Sequence, residues 1–196
     1  MKQPIPVTLE GQHLRLLPLA AAHLDALCAV GLDPDLWRLI PSKAETPEEM
    51  RAYVELALDE QRHGVSLPFV TTLKHTGQVV GSSRYMNIDV KNRRLEIGCT
   101  WIGKSWQRSA VNTEAKLLML QHAFEVLGCV RVELKTDFLN QQSRNAILRL
   151  GAKQEGIFRR HVLTWSGRMR DTVYFSILDD EWPAVKTGLE AKLSRN

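Results

Sequence analysis

A mixed α/β fold on a mostly antiparallel sheet, with one central βαβ unit, is what the sequence predicts. Three observations predict it. Strand-like segments at 67–74, 79–88 and 94–102 follow one another with only short polar turns between them, as hairpin-linked strands do. The longest amphipathic stretch, 112–127, stands between two strand-like segments, 94–102 and 130–138, so those two can run parallel with the helix as their crossover. No repeat, low-complexity stretch or linker divides the 196 residues, and that length fits one domain spanning 1–196.

The elements follow in order. His13 to Leu19 reads as a short strand, Ala20 to Val30 as a helix and Gly31 to Pro34 as a turn. Thr46-Pro47-Glu48-Glu49 combines a cap residue, proline at the first helical position and acids in the first turn, so a helix starts there. It runs to Arg62 and ends at His63-Gly64. Leu67–Lys74 and Val79–Ile88 form a hairpin about the turn 75–78, and Arg94–Ile102 is the next strand. In the long helix, Leu117, Leu118, Leu120, Ala123, Phe124 and Leu127 share a face, and Gly128 ends it. Val130–Phe138 alternates as a strand, Gln141–Leu150 is a short helix, and strands at 156–165 and 172–178 flank the turn Ser166-Gly167-Arg168. The tail from Glu181 reads as a surface helix. The sum is about seven strands flanked by helices.

Composition narrows the function. The chain is 44% apolar and 24% charged, ordinary for a folded domain. Its formal net charge of +4 favours anionic partners without choosing among them. No basic helix or aromatic-basic motif supports nucleic-acid binding. Cys28, Cys99 and Cys129 are odd in number and form no C-x-x-C pair, which argues against a disulfide framework or a metal site. Residues 1–10 lack a long apolar core, and no run approaches the length of a membrane span, so a cytoplasmic setting is expected.

The stretch that carries chemistry is Leu95 to Glu114, LEIGCTWIGKSWQRSAVNTE. It reads as a strand, a polar loop and the first turn of the longest helix. Such a loop presents unpaired N–H groups at the positive end of a helix, a geometry that binds phosphate, and Lys104 and Arg108 add charge. Gly98 inside the strand marks a bulge or a close ligand approach. A bulge frees an N–H that can stabilise an oxyanion during acyl transfer. An ordinary helix cap and a crowding-relief glycine would read the same way.

Together with LEIG, WQRSAVNTEAK (106–116), His122-Ala123-Phe124, RVELK (131–135), NQQSRNAILRLGAKQEG (140–156) and Arg170-Asp171-Thr172, this stretch resembles the GNAT acetyltransferase superfamily, in its RimJ/RimL-type branch. The resemblance covers nearly the whole chain. It implies acetyl-CoA as acyl donor, an amine acceptor and no metal; a homodimer is compatible with it. The family loop Q/R-x-x-G-x-G/A falls on Gln107, Arg108, Ser109, Ala110, Val111 and Asn112, with Ala110 and Asn112 replacing the usual small residues. An alanine forced to positive φ would cost about 1–2 kcal/mol. By the same resemblance Thr100, Trp101, Ile102 and Thr113 join the cofactor-binding set. Asn140 would contact the pantetheine arm, and Ser143 would protonate the leaving thiolate or hold a water that does. Both also read as caps of the helix 141–150. Ile147 stands where many members carry a tyrosine acid.

An amine attacks only when neutral. At pH 7 roughly a tenth of α-amines are neutral, against under about a thousandth of lysines. A weak base therefore suffices for a peptide N-terminus or a small amine. Glu96, on the strand before the loop, is the leading base, with a structural ion pair as its other reading; Glu133 and Asp137 stand behind it. Three functions compete on the sequence: an N-acetyltransferase, a catalytically weak or inactive acyl-CoA-binding module, and a nucleic-acid binder. Ala110, Asn112 and Ile147 motivate the second, and charge alone the third.

Overall fold

Apolar residues that alternate along the strands fall on two faces, and each face has its own layer of helices. In the computed structural model, which describes residues 1–194, Leu67, Phe69, Val80 and Tyr85 point to one core, while Val70 and Val79 point to the other. Burial on both faces explains why strand Ser66–Leu73 reads as a nearly continuous buried run.

The strands are β1 (Leu9–Glu10), β2 (Leu14–Pro18), β3 (Ser66–Leu73), β4 (Val79–Asp89), β5 (Arg94–Ile102), β6 (Arg131–Asp137), β7 (Lys153–Leu163) and β8 (Met169–Leu178). They form one sheet in the order β1-β2-β3-β4-β5-β6-β8-β7. Only β5 and β6 pair in parallel; every other pairing is antiparallel. The helices are α1 (Leu24–Gly31), α2 (Pro34–Trp37), α3 (Pro47–Arg62), α4 (Ala110–Gln121), α5 (Gln141–Leu150) and α6 (Trp182–Leu193). Residues of α1–α3 pack with Trp37, Met50 and Tyr53 on one face. Residues of α4 and α6 pack on the other, with Met119, Leu120 and Leu189 fully buried.

The sheet has eight strands rather than seven, because the two-residue β1 pairs with β2. The turn expected at Gly31–Pro34 ends by starting α2: Asp33 Oδ1 accepts from Asp35 N, and Pro34 occupies the first helical position. Ala21–His23 is a 3₁₀ turn preceding α1. The long helix begins at Ala110, not Asn112, because Ser109 caps it by accepting from Val111 N at 3.3 Å. Its last stretch, His122–Leu127, is π-helical and ends on left-handed Gly128. Tyr85 Oη, from β4, donates to the Met119 carbonyl just before that change of winding, at 2.6 Å. β7 and β8 each begin three residues before the expected position. Of the expected C-terminal helix, the last two residues lie outside the described residues.

Candidate active site

The parallel pairing of β5 with β6 stops early. Arg94, Leu95 and Glu96 pair with Arg131, Val132 and Glu133, after which the strands part, although β5 continues to Ile102 and β6 to Asp137. Past Glu96, the backbone groups of β5 that face β6 have no strand to pair with. The result is a wedge in the middle of the sheet.

A bulge sits on the β5 wall of this wedge. Gly98 pairs with Arg84 and Trp101 with Ser82, so Cys99 and Thr100 together face Ser83. Cys99 takes a left-handed φ of 47°. The bulge predicted at Gly98 is therefore real but displaced by one residue. Gly98 serves space instead: a Cβ there would lie 2.6 Å from Met86 Sδ and 3.0 Å from Glu96 Oε1.

Two helix N-termini flank the wedge mouth, α4 after β5 and α5 after β6. Gln142 Nε2 at the start of α5 donates to Gln107 Oε1 just before α4 at 3.4 Å, and Arg149 Nη2, in the last turn of α5, reaches Thr113 Oγ1 in α4 at 2.9 Å. Gln107 is also anchored through Nε2 to the Ile102 carbonyl at 3.0 Å. Arg108, exposed, carries the loop's positive φ of 59°. Ala110 is not among the residues with positive φ and stands as the first residue of α4, with Asn112 two residues into the helix. Val111 N–H goes to Ser109; the other first-turn N–H groups have no intrahelical acceptor. This donor set, with the exposed guanidinium beside it, fits an anionic phosphate group.

Each remaining sequence candidate has a definite place. The Thr100 hydroxyl lies 2.7 Å from Ser83 Oγ and accepts from Lys116 Nζ. The Trp101 ring is buried against Trp37, with centroids 5.7 Å apart. Asn140 caps α5, its Oδ1 accepting from Ser143 N at 2.9 Å. The Ser143 hydroxyl makes no hydrogen bond among the described residues. Ile147 is core.

Glu96 lies where the wedge opens, nearly buried. Its Oε2 accepts from Asn87 Nδ2 at 2.6 Å and pairs with Lys135 Nζ at 2.7 Å, not with Arg94. Burial pulls the Lys135 amine down, but Glu96 and Tyr174 outweigh it and leave its pKa raised. Glu133 is held by Arg94 and Arg131, and Asp137, fully buried, by Arg168 and Leu139 N. All three candidate acids are therefore ion-paired, and Glu96 is the one at the residue where β5 and β6 part. His122 stacks on Tyr85, and burial lowers its pKa.

Several residues here had no role in the sequence reading. Tyr53 Oη donates to the Cys99 carbonyl at 3.4 Å, and Arg84 stacks over the Tyr53 ring while pairing with Glu60 at 2.9 Å. Lys116 is nearly buried beneath the bulge, and burial brings its pKa down to about 7. Arg170, beyond the end of β6, is buried as well. Lys116 and Arg170 belonged to recognised segments, but a basic residue in a mostly polar segment gives no sign that it is buried.

A sheet forked between two parallel strands, with a bulged strand on one wall and a helix N-terminus at the mouth, defines the fold of an N-acetyltransferase. The chain belongs to the GNAT acetyltransferase family: residues 13–153 match the model of the acetyltransferase (GNAT) domain. It is accordingly an enzyme that transfers an acetyl group to an amine. It is 32% identical over 145 residues to YdaF of Bacillus subtilis (strain 168), provisionally named a ribosomal N-acetyltransferase, covering 73% of this chain and 78% of that one. A GCN5-related N-acetyltransferase from Brucella melitensis superposes with a TM-score of 0.89 at 35% identity, covering 97% of this chain and 86% of the other. Mycobacterium smegmatis RimJ, solved with CoA-disulfide, shares the fold at a TM-score of 0.81 and 23% identity, over 95% of both chains. No described helix is long and apolar enough to cross a membrane.

Proposed function

We propose that the chain acts as one catalytic domain in the cytoplasm, taking acetyl from acetyl-CoA and giving it to a primary amine on a peptide N-terminus or a small molecule. The observation that carries this reading is the wedge between β5 and β6 with the α4 N-terminus at its mouth. The segment Gln107–Thr113 holds the pyrophosphate through its N–H groups and Arg108. The pantetheine arm runs along Thr100–Ile102 towards Asn140. At the bulge, the acceptor nitrogen attacks the thioester carbon, the carbon–sulfur bond breaks, and the thiolate leaves. An amide N–H of the bulge stabilises the developing oxyanion. Glu96, directly or through water, takes the proton from nitrogen. Ser143, whose hydroxyl is uncommitted, delivers a proton to the thiolate. The name of the B. subtilis relative makes a ribosomal-protein N-terminus one acceptor to assay.

The test is thiol release from acetyl-CoA with a panel of amines, alongside calorimetric titration of coenzyme A and a crystal of the complex. Amine-dependent thiol release and a pyrophosphate over 107–113 are expected. Coenzyme A bound elsewhere, or no amine-dependent release, would overturn the reading.

A further inference from the structure

Cations on the wedge face of the sheet have anionic partners, whether buried like Arg84 or part-exposed like Lys135 and Arg168. Arg84 has Glu60, Lys135 has Glu96, and Arg168 has Asp137. Arg170 does not. It is only 7% exposed, yet its guanidinium makes no hydrogen bond or ion pair among the described residues, and its Nε is sealed from solvent. Two residues along the same strand, the Thr172 hydroxyl is also buried without a partner.

The register explains where these groups point. β6 ends at Asp137, which pairs with Thr172, and Phe138 N makes a last bond to the Asp171 carbonyl at 2.9 Å. Arg170 therefore stands beyond the last β6 residue, where no strand residue pairs with β8 on that side. Alternation puts Arg170 on the face of Thr172 and Tyr174, and hence of Lys135, Asp137 and Glu96. Its charge reaches both Glu96 and the bulge residue Cys99 across the wedge. Burial lowers the Arg170 pKa against the pull of Asp137 and Glu96, each already engaged. An arginine stays charged regardless, so a positive charge and a buried hydroxyl without partners share the Glu96 face of the sheet.

We propose that Arg170 and Thr172 form an anion subsite for the acceptor, so that the enzyme acetylates amines carrying a carboxylate close to the nitrogen. This rests on the acetyltransferase reading above and specifies its substrate class. A guanidinium binds a carboxylate through two parallel N–H···O bonds, and the Thr172 hydroxyl donates a third. The donor's own anions do not compete for this place, because its phosphates belong at the α4 N-terminus. The carboxylate comes either from a free amino acid or from an acidic side chain near a peptide N-terminus.

The experiment compares kcat/KM for matched acceptors in the wild type, Arg170→Gln and Thr172→Val. One arm pairs free amino acids with their amides. The other pairs C-terminally amidated peptides bearing Asp or Glu at the first two positions with their Asn or Gln counterparts. In at least one arm the wild type should favour the carboxylate, and Arg170→Gln should lower its kcat/KM roughly 10- to 100-fold while sparing the neutral partner. Thr172→Val should give a smaller loss with the same selectivity, and it keeps the proposal testable if Arg170→Gln does not fold. Equal turnover of both members of every pair, turnover confined to neutral or cationic amines, or equal loss on both members in the variants would overturn the subsite. Coenzyme A titration separates the two levels: a protein that neither binds it nor acetylates any amine would instead overturn the acetyltransferase reading.

Discussion

Lys116 Nζ donates to the Thr100 hydroxyl at 2.6 Å, which ties the second turn of α4 to the bulge in β5. Ser83 Oγ, 3.3 Å away, completes the cluster, and no carboxylate pairs with the amine among the described residues. Near neutrality the amine therefore divides between its charged and neutral forms, held in place by hydroxyls that serve either.

Stability should follow from this. Lys116 titrates at about 7 when folded and near ~10.4 when unfolded. Between those values the unfolded chain holds more protons, so stability rises with pH through that window; below about 7 both states are protonated and the buried cation's penalty is felt in full. Cys129 works the other way above the ordinary thiol range, because burial pushes its pKa up to about 11. Comparison with Lys116→Met isolates the lysine. Urea midpoints should show the variant gaining on the wild type at pH 6 and losing that advantage by pH 9.5. A constant difference across pH would mean that Lys116 does not titrate in this window.

Glu96 and Lys135 form a nearly buried pair at 2.7 Å, so any test of the base must separate chemistry from folding. Removing one partner of such a pair costs about 3 kcal/mol. Glu96→Gln should destabilise and also lower kcat/KM, by ~10² if Glu96 is the base. The loss should be greatest below the acceptor's own pKa, near ~7.7–8.0, where the amine is mostly protonated. The double variant Glu96→Gln/Lys135→Met should recover stability but not rate. Recovery of both would make Glu96 a structural anchor only.

Arg108, not Ala110, carries the positive φ of the phosphate-facing loop. Ala110→Gly should therefore leave coenzyme A affinity nearly unchanged while costing up to about 1 kcal/mol of stability, because glycine is a poor residue in a helix. Arg108→Gly relieves a backbone penalty of about 1–2 kcal/mol but removes the cation, so it should melt higher and bind coenzyme A more weakly. Tighter binding in Ala110→Gly by tenfold or more, read by calorimetry, would show that the alanine methyl obstructs the phosphates.

The fold was legible because its strands and helices announce themselves locally: Thr46-Pro47-Glu48-Glu49 did cap and start α3, with Thr46 Oγ1 accepting from Glu49 N at 3.2 Å. The misses were competitions between neighbouring signals. Asn112 is a good cap residue, but Ser109 reaches the helix end first because its hydroxyl also donates to the Trp106 carbonyl at 2.6 Å. The bulge was legible from Gly98 but not its placement, since left-handed Cys99 is held by contacts from afar, among them the Tyr53 hydroxyl. Lys116 and Arg170 were illegible for a different reason: burial of a cation is decided by strand register and helix packing, which a local sequence pattern does not contain.

Asn140 and Ser143 end the wedge on its β6 side, and the structure separates their tasks. Asn140 spends its side-chain oxygen on Ser143 N at 2.9 Å, as a helix cap does, and keeps its amide nitrogen available. Asn140→Ala should therefore lose about 1 kcal/mol of stability from the cap. If the amide nitrogen also meets the pantetheine arm, a further ~0.5–1.5 kcal/mol appears as a higher KM for acetyl-CoA. Ser143 presents the opposite case, a half-buried hydroxyl with nothing to hold, so Ser143→Ala should leave the melting temperature nearly unchanged. Its effect belongs in kcat. A thiolate with a pKa near ~8.5 leaves readily at neutral pH, so the proton donor has limited work. A drop of about 10²-fold or less is expected, at the bottom of the range for general acid catalysis. Stopped-flow thiol release with both variants, corrected for the folded fraction, reads the two effects together. An unchanged kcat in Ser143→Ala would remove the serine from the proton path and leave the thiolate to be protonated by solvent.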